Sequence, residues 1–180
     1  RKGAVVGISG GIDSSATLAL SVKAFGANNV LGVILPESES SSDSEVMARD
    51  LAKKFGVEVV VENITGALKG FGCYSRRDEA ISNVIPEFNP VTDKSKIVIN
   101  QRIDKNIPPL FSVTVIPPNG EEKTKVLSTK DYLQIVASSN FKQRSRMSML
   151  YYHAERLYSA VIGTPNRHEV EQGFFVKHGD

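Results

Sequence analysis

The chain has 180 residues, 41% of them hydrophobic, enough to bury one sizeable core, so one domain is the default expectation. Its 22 lysines and arginines face 20 acidic residues for a formal charge of +2, and no net field argues for a nucleic-acid or anionic-membrane partner. A single cysteine excludes an internal disulfide, Arg1-Lys2 is not followed by the apolar core of a signal peptide, and no run of 18 apolar residues exists; a cytoplasmic protein is expected.

Residues 4–8 form an apolar β-type run that ends in a glycine-rich turn, Gly7-Ile8-Ser9-Gly10-Gly11-Ile12-Asp13-Ser14, and opens directly into a helix-forming segment. Glycines let backbone approach a ligand, N–H groups at the helix start suit an anion, and Asp13 is placed to hold the ligand's metal counterion. The turn therefore reads as a polyphosphate site. It is not a Walker A loop, because no lysine follows Gly11, nor a dinucleotide fingerprint, because Ser15 and Ala16 stand where a third glycine belongs.

Ser14 to Phe25 carries Leu18, Val22 and Phe25 at helical spacing and stops at Gly26, and Val30 to Leu35 is a second strand ended by Pro36. A helix over 42–55 follows, with Asp43 and Glu45 suited to its amino-terminal dipole, Lys53 and Lys54 to the other end, and Gly56 as its stop. Strand three is 58–61. This alternation predicts an α/β fold: a doubly wound parallel sheet, helices on both faces, with its ligand crevice beyond the carboxyl ends of the strands. The 36–42 loop, serine-rich and polar, ends at that edge; it suits a lid over bound nucleotide and equally a solvated loop with a helix cap.

From Gly66 to Ser139 the pattern weakens. Arg76 to Ile81 can start a helix, and Phe111 to Ile116, the Asn119-Gly120 turn and Lys123 to Leu127 suggest a hairpin. Arg76 and Arg77 read either as phosphate contacts or as a paired, solvated surface. Cys73 lacks a basic partner in a glutamine-hydrolysing context and is expected to be an unreactive thiol.

Asn140 to Met147 leads into a helix whose apolar stripe, Met147, Leu150, Tyr151, Ala154, Leu157 and Tyr158, is expected to be core, with Arg144 and Arg146 at its opposite margins. A short strand over 159–163 then turns at Thr164 into another helix carrying Glu169. Glu169 thus reaches the same strand-end edge as Asp13. Two such carboxylates match what Mg²⁺ bound to triphosphate oxygens requires, with phosphate and water completing the shell.

The Ser-Gly-Gly-x-Asp-Ser run at 9–14 resembles the pyrophosphate-binding loop of the N-type ATP pyrophosphatases, which cleave ATP between the α and β phosphates. Asn-x-x-x-Arg-x-Arg-Met at 140–147, Gly-Thr-x-Asn-x-x-Glu at 163–169 and Gly-Phe-Phe-x-Lys-x-Gly-Asp at 173–180 extend the match. Over residues 3–65 and 140–180 the chain is similar to NAD synthetases of the ammonia-dependent type.

That resemblance implies ATP lying along Gly7, Ile8, Ser9, Gly10, Gly11, Ile12, Asp13 and Ser14, with Thr164 at the adenylate side. It implies Mg²⁺ on Asp13 and Glu169, and deamido-NAD contacted by Arg144 and Lys177. The chemistry implied is adenylation of the nicotinate carboxylate, with loss of pyrophosphate, followed by attack of ammonia to form NAD and AMP. Free ammonia or a separate glutaminase would supply nitrogen, and a homodimer is expected by the same resemblance. A related ligase acting on nicotinate mononucleotide or another carboxylate, and a non-catalytic nucleotide-binding module, stay open as alternatives. The expected organisation is one domain over 1–180 with an atypical middle segment, 66–139, and with the family's carboxyl-terminal aspartate, lysine and hydroxyl residues missing beyond Asp180.

Overall fold

The first apolar run is strand β1 (Ala4–Gly7), and its residues alternate between two buried faces. The computed structural model describes residues 1–100 and 110–180, with Asn100 described in its backbone only. Contacts divide the chain into two compact units, Arg1–Gly70 with Asn140–Asp180, and Phe71–Ser139. The second lies within residues 66–139, the middle segment that the sequence reading kept inside a single domain as atypical of the family.

In the first unit, β1 pairs in parallel with β2 (Val30–Ile34) on one side and β7 (Ala160–Ile162) on the other, and β3 (Glu58–Val61) pairs with β2. The order is β3-β2-β1-β7. Ala4, Val6 and Ile8 pack on one face with Leu18 of helix α1 (Ile12–Phe25) and with Ala48 and Ala52 of α2 (Ser42–Phe55). Alanines at the α2 contact let that helix approach closely, and fully burying Leu18 is worth roughly 1.5–3 kcal/mol. Gly7 belongs to the other face: a Cβ there would lie 3.3 Å from Leu150 Cδ1 of the long helix α5 (Thr129–Arg156). Helices therefore cover both faces of a parallel sheet, as the strand–helix alternation predicts.

Local chemistry sets the element ends. Ser41 caps α2 by accepting from the Asp43 N–H, and Gly56 closes it in a left-handed conformation at φ 67°, donating to Ala52 and Lys53 carbonyls. Two short elements add α3 (Thr65–Gly70) and α6 (Arg167–Gln172).

The second unit packs α4 (Cys73–Val84) and the start of α5 on an antiparallel sheet of β4 (Lys94–Asn100), β5 (Leu110–Ile116) and β6 (Lys123–Val126), ordered β4-β5-β6. Ala80, Ile81, Ile85 and Phe88 meet Val113, Val115 and Ile135 in its core, with Phe111 stacked on Tyr132 at 3.9 Å. The β5–β6 hairpin carries the Asn119-Gly120 turn, as read from the sequence. Arg77 pairs with Asp78 at 2.6 Å, and the buried Cys73 thiol donates to the Ser138 carbonyl.

The predicted apolar stripe of α5 needs correction. Met147, Leu150 and Ala154 are buried, but Tyr151, Leu157 and Tyr158 are exposed, and the helix ends at Arg156. The buried arc instead turns toward His153, only 2% exposed. Its Nδ1 accepts from Arg156 Nε at 3.0 Å, so Nε2 carries the proton and donates to Glu62 Oε1 at 3.0 Å. A satisfied imidazole thus occupies a core position that the apolar pattern gave to tyrosine. Among the described residues no helix is long and apolar enough to cross a membrane.

Candidate functional site

The carboxyl ends of β1 and β7 lie side by side, and the turns that leave them frame a cavity of about 460 Å³. Gly7, Ile8, Ser9 and Ser14 line it from the first turn, and Gly163 and Thr164 from the second. Val33, Ile34 and Leu35 at the end of β2 join Met147 and Leu150 of α5 as its apolar wall. Ser40 and Ser41 of the β2–α2 connection and Ser44 of α2 also line it. Apolar walls with a few convergent polar groups suit a ligand with a flat base and a charged tail.

The first turn is held by its own hydroxyls. Ser14 Oγ accepts from the Ser9 N–H at 3.3 Å and donates to the Gly11 carbonyl at 3.0 Å, while the Gly11 N–H donates to Ser9 Oγ at 3.3 Å. Gly10 takes φ +80°, which favours glycine, and passes so close to α2 that a Cβ would sit 2.7 Å from Met47 Cβ. Gly11 stands at the N-cap of α1 with no side-chain cap, leaving first-turn N–H groups to water or an anion.

Glu169 sits in the first turn of α6. Its Oε2 accepts from the Asn166 N–H at 2.8 Å while Asn166 Oδ1 accepts from the Glu169 N–H at 3.0 Å, a capping box that fixes the carboxylate. The Asn166 amide also reaches Asp13 Oδ1 at 3.4 Å. One asparagine therefore links both predicted metal ligands, and neither Asp13 Oδ2 nor Glu169 Oε1 makes a hydrogen bond among the described residues. Two hard oxygens left open at one strand-end edge fit a divalent cation such as Mg²⁺. No group of three or more His, Cys, Asp or Glu residues is arranged for a metal among the described residues, so phosphate and water oxygens would supply the remaining ligands.

The other predicted residues distribute less evenly. Gly10, Gly11, Ile12 and Asp13 shape the turn without lining the cavity, and Ile12 is 83% exposed. Arg144 is exposed, and its Nε donates to the Lys177 carbonyl at 3.1 Å, so those two residues meet, outside the cavity lining. Arg146 is the arginine that lines the cavity, its Nε donating to the Leu35 carbonyl at 3.3 Å and its Nη1 to Gln143 Oε1 at 3.2 Å. The sequence named both arginines as marginal; only the buried position of His153 tells which margin faces inward.

The model of the family described as NAD synthase matches residues 1–97 and 110–180. The chain belongs to the NAD synthase family. An NH(3)-dependent NAD(+) synthetase of Rhizobium meliloti (strain 1021) is 46% identical over 180 residues, a match that covers 100% of this chain and 54% of that protein. One from Thermotoga neapolitana (strain ATCC 49049 / DSM 4359 / NBRC 107923 / NS-E) is 35% identical, covering 99% of this chain and 56% of the relative. The chain thus spans about half the length of the curated relatives it matches. Two solved structures share the NAD synthase fold at 23% identity, each covering 99% of this chain. The NH3-dependent NAD synthetase of Campylobacter jejuni subsp. jejuni NCTC 11168 in complex with the nitrate ion has a TM-score of 0.60 and is covered over 53% of its length. The NMN synthetase of Francisella tularensis has a TM-score of 0.61 and is covered over 51%.

Proposed function

We propose that this chain is the ATP-handling part of an amide ligase that makes NAD from deamido-NAD, ATP and ammonia, releasing AMP and pyrophosphate. The observation that carries the reading is the cavity where the Ser9–Ser14 turn and Thr164 meet at the edge shared by β1 and β7. The apolar wall from β2 and α5 suits the adenine ring, and the uncapped start of α1 suits phosphate oxygens. Asp13 and Glu169 would hold Mg²⁺. When bound, the ion would offset charge on the departing pyrophosphate.

A carboxylate is a poor acyl donor, and joining it to AMP supplies a good leaving group that ammonia displaces; the chain need supply no nucleophile of its own. Arg144 and Lys177 are assigned to the acceptor, a role supported by their meeting at one place beside the cavity's helix. Ammonia as nitrogen source draws support from the relatives, which are NH(3)-dependent NAD(+) synthetases. A homodimer is supported by the exposed Tyr151, Tyr152 and Tyr158, and a cytoplasmic setting fits a chain with one cysteine.

The test is product analysis with the full-length protein. AMP and pyrophosphate should appear only when deamido-NAD, ammonia and Mg²⁺ are all present, and release of ADP instead would end the reading. An acceptor panel including nicotinate mononucleotide then checks the carboxylate: turnover with that compound and none with deamido-NAD moves the assignment to a related ligase.

A further inference from the structure

Besides Asp180, the cavity is lined by one other acidic residue, Glu45, near the start of α2. Arg49, one turn on, donates to Glu45 Oε1 from Nε at 2.9 Å and from Nη2 at 2.7 Å, while Glu45 Oε2 makes no hydrogen bond among the described residues. One oxygen thus orients the carboxylate and the other is open, on a side chain that is 34% exposed and so within reach of a ligand. An ionised carboxylate only accepts hydrogen bonds, so the open oxygen repels phosphate and selects the donor-bearing parts of whatever fills the cavity.

ATP carries such donors in two places, the exocyclic amine of the base and the 2′- and 3′-hydroxyls of the ribose. The start of α2 decides between them. A Cβ on Gly10 would lie 3.3 Å from the Ser44 carbonyl oxygen and 3.4 Å from the Ala48 nitrogen, so the turn of α2 that carries Glu45 packs on the phosphate turn. The apolar wall that suits the base comes instead from β2 and α5. The sugar joins these two parts of the nucleotide, and its hydroxyls are the donors covalently nearest the phosphates. We infer that Glu45 is a specificity-determining residue: its open oxygen accepts a hydrogen bond from a ribose hydroxyl and so distinguishes ATP from a deoxy nucleotide. The inference rests on the reading of the cavity as an ATP site.

Calorimetry on the full-length protein with Mg²⁺ and no acceptor compares ATP, 2′-deoxy-ATP, 3′-deoxy-ATP and inosine triphosphate, on the wild type and on Glu45→Ala. The wild type should bind ATP about tenfold more tightly than one of the deoxy nucleotides, the ratio that 1.4 kcal/mol gives, and Glu45→Ala should bring that ratio to about one. A substitution that merely loosens α2 weakens every nucleotide alike and leaves the ratio intact. A ratio preserved in Glu45→Ala therefore overturns the inference, as does a wild type that binds both deoxy nucleotides as tightly as ATP. Loss of the preference for ATP over inosine triphosphate in Glu45→Ala, with the deoxy ratio unchanged, overturns it by moving the contact to the base amine. A wild type that binds none of these nucleotides overturns the reading of the cavity and this inference together, whereas ATP binding without discrimination against the deoxy forms overturns the role of Glu45 alone.

Discussion

Replacing Gly10 by alanine tests whether the first turn is glycine-bearing for conformation alone or also for contact. Gly10 has φ +80°, and its added Cβ would lie 2.7 Å from Met47 Cβ and 3.3 Å from the Ser44 carbonyl oxygen. Gly56 offers the control, because it has φ +67° but nothing within 4 Å of an added Cβ. A left-handed alanine costs roughly 1–2 kcal/mol, and that cost applies at both positions. Only Gly10 carries the second penalty, since Met47 Cβ is fixed to the α2 backbone and cannot rotate away; overpacking of this kind adds roughly 1–3 kcal/mol. Gly10→Ala should therefore lose roughly 2–5 kcal/mol by summing those two ranges, against roughly 1–2 kcal/mol for Gly56→Ala. Urea unfolding of the full-length variants, followed by far-ultraviolet circular dichroism, compares the midpoints at constant slope. Met47→Ala keeps the offending Cβ and should rescue nothing, whereas Met47→Gly in the Gly10→Ala background should recover part of the loss. Equal midpoints for Gly10→Ala and Gly56→Ala would refute the contact argument.

Glu169→Gln keeps an oxygen for the Asn166 N–H, so the capping box and fold should survive while the Mg²⁺ concentration needed for half-maximal pyrophosphate release rises; Asp13→Asn should behave alike, and normal turnover of either at limiting Mg²⁺ removes the metal assignment. Arg144→Ala should raise the KM for deamido-NAD, and a selective loss of ATP affinity would move Arg144 to the other half of the site. The Asp131 carboxyl is held below its ordinary value by the Ser128 hydroxyl first and the Asn83 amide second. A depressed folded value adds stability above the ordinary carboxylate range, and that stability is lost as pH falls through the folded value. Asp131→Asn should therefore be less stable than wild type at neutral pH, with the gap closing as the buffer passes below about pH 4; an equal gap at both ends of a urea-unfolding pH series contradicts the assignment.

The elements read most directly from the sequence are those with local punctuation. Gly26, Ser41 and Gly56 each mark a helix boundary by chemistry that acts within a few residues, so α1, α2 and the strands between them are legible. The start of α5 at Thr129 had a comparable signal: Ser128 Oγ accepts from the Asp131 N–H at 3.1 Å, a capping arrangement followed by Tyr132 and Ile135. Leu133, apolar in sequence but exposed in the fold, blurs that rhythm. Strand β4 was hidden by its lysines, since Lys94 and Lys96 give its first half the composition of a loop and only register with β5 makes it a strand. In the site, Asp13 and Glu169 could be paired from sequence because each follows a strand of one parallel sheet. Arg146 could not be told from Arg144, because two residues on a helix differ by about 200° and only packing says which side is inward.

That 200° separation also divides the work of α5. Lys142 and Arg146, one turn apart, both hold the β2–α2 connection, whereas Arg144 reaches the Lys177 carbonyl beyond α6. A single helix thus ties the serine wall of the cavity to the Lys177 segment. The far end of that inner face is anchored by His153 on Glu62, which follows β3, so the helix is pinned to the sheet beyond both arginines. Every described residue lining the cavity belongs to the unit formed by Arg1–Gly70 and Asn140–Asp180. Lys142, Arg144 and Arg146 thus connect the β2–α2 turn and the Lys177 segment through the same helix.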